Sequence, residues 1–233
     1  EAVTGANASG QQCSPMGPAR LLLLDSATLY YRAFHALPSS LTDPSGRPNN
    51  AVRGFCDGLL TLVKTAGATD LVCAWDEDWR PQWRVDLWPG YKTHRGEGEP
   101  STAAKNVDGA SSEGPSVEAV PDELSAQVDT IAAILDAAGI PRVGAEGFEA
   151  DDVIATIATG FPGAVVIATS DRDLLQCVTP DSRVQVLSMA RGLGSLALLG
   201  AQEVRDAYAV EPEQYADFAT LRGDPSDGLP GVR

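Results

Sequence analysis

The chain has 233 residues, 43% of them hydrophobic, enough for one large domain, or one domain and part of another, around a real core. With 32 acidic against 17 basic residues, its net charge of −15 argues against broad binding to phosphate backbones unless cations neutralise the acidic groups locally. The apolar runs are too short to cross a bilayer and the N-terminus lacks the pattern of a signal peptide. Cys13, Cys56, Cys73 and Cys177 are widely spaced and form no CxxC pair, so a soluble, cytoplasmic protein without structural disulfides is expected.

Residues 1–18, rich in Ala, Ser, Gly and Gln, read as a flexible tail. Leu21 to Leu24 is a short apolar run ending in Asp25, the pattern of a buried parallel strand. Thr28 to Leu37 reads as a helix carrying Arg32 and His35, and a loop with Pro44, Gly46 and Pro48 follows. Ala51 to Ala66 places Val52, Phe55, Leu59, Leu62 and Val63 at helical spacing, and Gly67 closes it. Leu71 to Trp75 is a second strand run, ending in Asp76.

Beyond Asp76 the character changes: Arg80, Arg84, Lys92 and Arg95 are interleaved with Trp79, Trp83, Trp88 and Tyr91. Cations can meet phosphates, and flat rings can stack on bases for about 1–3 kcal/mol each. The three tryptophans fit burial against the sheet at least as well, whereas Lys92 and Arg95 fit the nucleic-acid reading better. Residues 96–119 hold almost no large apolar side chain and read as a flexible loop, or as a segment that orders on binding. Pro121 opens a helix with Leu124, Val128, Ile131 and Leu135 on one face, closing at Gly139, and Pro141 to Ala145 leads on to the next helix. Ala164 to Ala168 is another strand, continuing through Thr169 and Ser170 to Asp171, with Asp173 two residues on. Leu174 and Leu175 start a short helix and Val184 to Leu187 a further strand. Alternating strands and helices predict an α/β fold with a mostly parallel central sheet flanked by helices. Gln202 to Arg222 reads as two short helices broken at Pro212, which deliver Asp224 and Asp227 in a Gly/Pro-rich turn.

Glu149, Asp151 and Asp152 sit where the apolar pattern of Val153, Ile154 and Ile157 begins. Acidic residues in a first helical turn complement the helix dipole by roughly 0.3–1 kcal/mol each, which accounts for one or two of them. Two like charges about 4 Å apart repel by about 4 kcal/mol at an effective dielectric near 20, so a positive group is expected among the three. Asp25, Asp76 and Asp171 each follow a predicted strand, where an open α/β sheet places its ligand crevice. If the Glu149 helix packs against that edge, seven carboxylates converge, Asp173 included. Oxygen ligands without nearby His or Cys suit magnesium or manganese, not zinc. One strand-terminal aspartate is most simply a turn or a cap; three of them joined to this cluster are not.

Six segments in order, LLLLDSATLYYRAFHALP, AWD, GYKTHR, FEADDVIATIA, ATSDRDLLQ and GDPSDGLPGV, resemble the motifs of the bacterial 5′-to-3′ exonuclease and flap endonuclease family. That family includes the N-terminal domain of DNA polymerase I and belongs to the PIN-like, or resolvase-like, nucleases. The match runs from about Leu21 to Val232. It implies a nuclease core over residues 19–200 with a flexible arch at about 90–120, and over 201–233 the start of a C-terminal DNA-binding region whose helix-three-turn-helix grip should begin right after Val232. It further implies a two-metal site of Asp25, Asp76, Glu149, Asp151, Asp152, Asp171, Asp173, Asp224 and Asp227. Asp151 would lie between the ions, with Asp25 and Asp76 serving the first and Asp171, Asp173 and Asp227 the second.

By the same resemblance Arg32, Lys92 and Arg95 would contact the scissile and neighbouring phosphates, and Tyr91 would stack on a base. Lys92, Arg95, Asp151 and Asp171 would carry the catalysis. The implied activity is two-metal hydrolysis of DNA at 5′ ends and flaps in replication and repair, by a monomer linked functionally to a polymerase and a ligase. Gly228 departs from the family, which usually has Asn there. A PIN-type ribonuclease would share the pocket but lack GYKTHR and GDPSD, and a non-cleaving metal-dependent DNA-binding module would share all of it. A phosphatase with an aspartyl nucleophile would want DxD where this chain has Asp25-Ser26-Ala27.

Overall fold

The computed structural model describes residues 19–93 and 122–232; the tail expected at residues 1–18, Arg95 and the loop expected at residues 96–119 lie outside the described residues. Strand β1 (Arg20–Asp25) carries four consecutive leucines, and because successive side chains on a strand point to opposite faces, such a run must be buried on both sides. It is: Leu21 and Leu23 join one hydrophobic cluster, Leu22 and Leu24 the other. Each fully buried leucine contributes roughly 1.5–3 kcal/mol.

Helix α1 (Ser26–Ala36) follows without a loop, because the Asp25 side chain accepts the Thr28 amide and caps it. Helix α2 (Asn50–Ala66) ends at Gly67, whose φ of 60° is the left-handed conformation that lets its amide reach the Lys64 and Val63 carbonyls. Strand β2 (Asp70–Ala74), the short helix α3 (Gln82–Leu87), helix α4 (Asp122–Ala137) and strand β3 (Arg142–Val143) complete the first half. Helix α5 (Ala150–Gly160), strand β4 (Ala164–Thr169), a 3₁₀ turn at Asp173–Cys177, strands β5 (Val184–Ser188) and β6 (Ala197–Leu199), and helices α6 (Ala201–Tyr208) and α7 (Tyr215–Arg222) form the second.

The six strands lie in the order β3-β2-β1-β4-β5-β6, all parallel except β6. From β1 the chain steps outward through β2 and β3, then returns to the other side of β1 as β4. The strand order therefore reverses between β1 and β4, and in open α/β sheets ligands bind beyond the carboxyl ends of the strands at such a switch point. Asp25 closes β1 and Thr169 closes β4 there.

The expected mixed, mostly parallel sheet flanked by helices is thus present, with two edge strands that the sequence pattern does not reveal. β3 has two residues and β6 three, too few for a periodic signal, and the connector read from Pro141 to Ala145 contains β3. Ala201, Val204, Tyr215 and Ala219 belong to the same buried cluster as Leu23 and Ile167, so residues 201–222 pack onto the core of the sheet. Among the described residues no helix is long and apolar enough to cross a membrane.

Candidate active site

A cleft of about 320 Å³ opens at this switch point. Its walls bring Glu149, Asp151 and Asp152 from the start of α5 together with Asp171 and Asp173 beyond β4, Asp227 from the C-terminal turn, and Arg84, Tyr91 and Lys92. Asp25, Asp76 and Asp224 are not part of that lining. Asp25 is buried and accepts hydrogen bonds from the Thr28 amide (3.1 Å), the Thr28 hydroxyl and the Thr169 hydroxyl (2.7 Å). Burial nevertheless pushes its carboxyl up, against the pull of those hydrogen bonds, and Asp76 adds to the push. Asp76 accepts the Ala150 amide at 2.8 Å, fixing the first turn of α5 against the end of β2.

Asp151 carries a heavy electrostatic load. Burial first, then the negative charges of Asp171, Asp25 and Asp76, hold its carboxyl well above the usual range, against the opposing charge of Lys92. Among the described residues its carboxylate takes no hydrogen bond. Asp173 is pushed to about 6 by burial, helped by Asp171, Asp224 and Asp227. Asp171 takes the Asp173 amide on its own carboxylate at 2.8 Å and donates its amide to the Thr169 hydroxyl at 2.9 Å. Asp224 is buried and accepts the Ser226 amide and hydroxyl, tightening the turn that carries Asp227. Among the described residues no group of three or more His, Cys, Asp or Glu is closed around a common ion position. Without neutralising charge, like-charged carboxylates have no reason to draw together.

The positive group expected among Glu149, Asp151 and Asp152 is two side chains. Lys92 pairs with Glu149 Oε2, and the Arg84 guanidinium spans Glu149 Oε1 at 2.8 Å and Asp152 Oδ1 at 2.7 Å. Burial alone would lower Arg84, but Glu149, Tyr91 and Asp152 more than reverse it, holding it firmly charged. The Glu149 amide donates to Asp152 Oδ2 at 3.1 Å, so Asp152 also caps α5. In this arrangement Glu149 and Asp152 are committed to the chain's own cations. Arg84 appears in the sequence as one member of a basic run; its pairing with residues 65 and 68 positions away has no local signal.

Tyr91 is drawn into the same network. It is 8% exposed, and its hydroxyl donates to Glu149 Oε1 at 2.6 Å and accepts from Arg84 at 3.1 Å. The physical reason is the hydroxyl, which finds its partner only inside the buried network. Lys92 adopts a φ of 49°, a left-handed conformation costing a residue with a Cβ roughly 1–2 kcal/mol.

Trp79, Trp83 and Trp88 are 41%, 42% and 42% exposed, so burial against the sheet does not describe them. Trp83 and Trp88 act as clasps: their indole N–H groups donate to the Gly147 carbonyl at 3.0 Å and the Gly228 carbonyl at 3.2 Å. Gly228, with φ 76°, lies so close that a Cβ there would collide with the Gly90 carbonyl oxygen, and the Lys92 amide donates to the Asp227 carbonyl. Glycine is what this close approach requires. Arg32 reaches from α1 past the end of β4, donating to the Ser170 hydroxyl at 3.1 Å. Burial lowers its basicity, its Nε has no partner, and it pairs with no carboxylate among the described residues.

The model of the 5′-3′ exonuclease N-terminal resolvase-like domain matches residues 20–209. A 5′-3′ exonuclease of Streptomyces coelicolor is 49% identical over 212 residues, covering 91% of this chain and 66% of the relative; one of Mycobacterium tuberculosis is 48% identical over 219 residues, covering 91% and 65%. The chain therefore spans just under two thirds of the length of these relatives. DNA polymerase I of Mycobacterium tuberculosis is 37% identical over 216 residues, 91% of this chain and 21% of the polymerase. Among solved structures, the phage T5 5′-exonuclease with bound zinc superposes with a TM-score of 0.64 at 19% identity, covering 92% of this chain and 70% of that one. The flap endonuclease-1 of Methanococcus jannaschii does so with a TM-score of 0.52 at 16% identity, covering 90% and 66%. Through the domain built around this switch point, the chain belongs to the 5′-3′ exonuclease family.

Proposed function

We propose that this chain carries the catalytic centre of a structure-specific 5′ nuclease, a 5′-to-3′ exonuclease and flap endonuclease that hydrolyses DNA phosphodiester bonds with two divalent metal ions in the acidic cleft. The observation that carries the reading is Asp151. A half-buried carboxylate with no hydrogen-bond donor, pressed by three like-charged neighbours, is costly to the fold and earns nothing structural in return. A divalent cation would remove that penalty, and the donor set fits one: the cleft offers carboxylate oxygens and neither imidazole nor thiolate, which suits Mg²⁺ or Mn²⁺.

In this reading Asp25 and Asp76 would serve a first ion, Asp171, Asp173 and Asp227 a second, with Asp151 among both sets, and Glu149, Asp152 and Asp224 would complete the site. Such ions, when bound, activate water and neutralise phosphoryl oxygens. The rest falls to the chain itself. Arg32, without a carboxylate partner among the described residues, holds a phosphate beside the scissile one. Lys92 releases Glu149 and turns its ammonium to the phosphoryl oxygens, where negative charge develops; Arg95 assists from the arch. In the same proposal the nuclease core spans residues 19–200, an arch would lie at about 90–120, and residues 201–233 would belong to a C-terminal DNA-binding region. The likeness to the polymerase I relatives supports an enzyme working beside a polymerase in DNA replication and repair; its acting as a monomer and together with a ligase belongs to the same proposal.

The test is cleavage of a 5′-labelled single-flap DNA with Mg²⁺, with Mn²⁺ and with chelator, by the wild type and Asp171→Ala. Metal-dependent release of the flap that disappears in the variant is expected. Cleavage that persists in chelator, or at the normal rate in Asp171→Ala, overturns the reading.

A further inference from the structure

A cleft holding this many carboxylates needs positive charge even when no ion is bound, and the chain supplies it from an unusual place. Helix α3 is six residues long and has no buried residue, yet it carries Arg84, whose side chain is only 22% exposed. The guanidinium forks across Glu149 and Asp152, which flank Asp151 on the first turn of α5, and its carbon lies 4.9 Å from the Trp83 ring centre. The Trp83 indole in turn donates to the Gly147 carbonyl, just ahead of α5. An element with nothing buried is thus held to the body through the fork, the Arg84 bond to the Tyr91 hydroxyl, the Trp83 ring against Phe148 and one indole hydrogen bond, and the fork closes on carboxylates that hard cations also seek.

We propose that Arg84 is the resident counter-ion of the cleft: it holds Glu149 and Asp152 in the ion-free protein, competes with divalent cations for those carboxylates, and yields at least one of them on loading. This rests on the reading of the cleft as a divalent-ion site. It also separates two roles of opposite sign. If Arg84 merely shaped the site, its loss would scatter the ligands and weaken metal binding; a competitor's loss strengthens it.

Calorimetric titration of the DNA-free chain with Mn²⁺ decides between them, using the wild type, Arg84→Gln and Arg84→Lys. Removing one unit of neighbouring positive charge should tighten Mn²⁺ binding about tenfold in Arg84→Gln. Arg84→Lys, which keeps the charge and loses the fork, should stay within about threefold of the wild type. In the wild type, saturating Mg²⁺ should change the tryptophan emission as the guanidinium leaves the Trp83 ring, and Trp83→Phe should remove that change. This second readout stands on the wild-type fold should Arg84→Gln fail to fold. A wild type that takes up Mn²⁺ while Arg84→Gln binds it no tighter, or a wild-type emission indifferent to Mg²⁺ that binds, overturns this inference alone. A wild type that takes up no Mn²⁺ overturns the divalent-ion reading and this inference with it.

Discussion

At the ends of β1 and β2, Asp25 and Asp76 are woven into the fold: one accepts donors from Thr28 and Thr169, the other the first amide of α5. Across the cleft, Asp151 and Asp173 accept no hydrogen bond on their carboxylates among the described residues, while burial and like charges press both toward protonation. The contrast separates carboxylates that a fold would keep for its own sake from those that it would not. Asp25 would be a good helix cap in a protein with no chemistry. Asp151 would be a liability in one, and a function is the simplest reason for it.

The largest effect should come from breaking the unsupported side. Asp151→Asn keeps the shape and removes the charge, so flap cleavage should fall by about 10³-fold or more. The metal-free protein should meanwhile become more stable, with Tm rising by about 3 °C in a chain of this size. Calorimetric melting in chelator checks the sign: a variant that melts below the wild type would mean that Asp151 holds the fold together after all.

The second prediction sharpens the comparison by disturbing only the turn-borne part of the site. Gly228→Asn puts a Cβ against the Gly90 carbonyl oxygen and should cost about 2 kcal/mol of stability by urea denaturation. Because Lys92 and Asp227 meet through their backbones at this contact, the turn should shift while Asp25 and Asp76 stay in place. Metal titration should then retain the ion proposed at Asp25 and Asp76 and lose or weaken the other proposed one. Equal weakening of both would show that the two halves are mechanically one.

A third experiment sets one member of each side against the other in metal-free protein. Asp25→Ala leaves the Thr28 amide and the Thr169 hydroxyl without their acceptor, so about 1 kcal/mol should be lost, the relief of a buried charge offsetting part of the damage. Asp173→Ala removes repulsion and no hydrogen bond, so stability should rise slightly. The same sign for both variants would dissolve the distinction.

Much of this was legible in the sequence because the site is built from local devices. Apolar runs ending in aspartate announce strand ends, and three acids before Val153 and Ile154 announce a helix start, so the converging carboxylates follow from secondary structure alone. What was not legible depends on pairings across the chain. The Arg84 fork joins α3 to α5, and the Trp88 indole reaches Gly228, 140 residues away. The buried state of Tyr91 follows from the same network. Edge strands β3 and β6 escaped because two or three residues cannot display a period.

The smallest predicted effect concerns pH, and it distinguishes the cleft from the protein's surface. Asp173 titrates near 6 in the folded chain and near 3.8 when unfolded, so between those values the native state holds a proton that the unfolded chain has released. Metal-free stability must therefore be greatest below that window and decline as pH rises from about 4 through 6; the raised carboxyls of Asp25 and Asp151 act with the same sign. Asp43, Asp136 and Asp181 are held low by hydrogen bonds from Arg47, Arg142 and Thr179, and they act oppositely, but only as pH falls below about 4. Solvent screening of the partly exposed Asp173 leaves its share at about 1 kcal/mol. Denaturation midpoints in chelator should thus rise from pH 7 to pH 5, and Asp173→Asn should flatten the rise. With saturating Mg²⁺ the trend should reverse, since protons now compete with the ion for the same oxygens. A metal-free protein that instead loses stability from pH 7 to pH 5 would show that the cleft's carboxylates are as well supported as those on its surface.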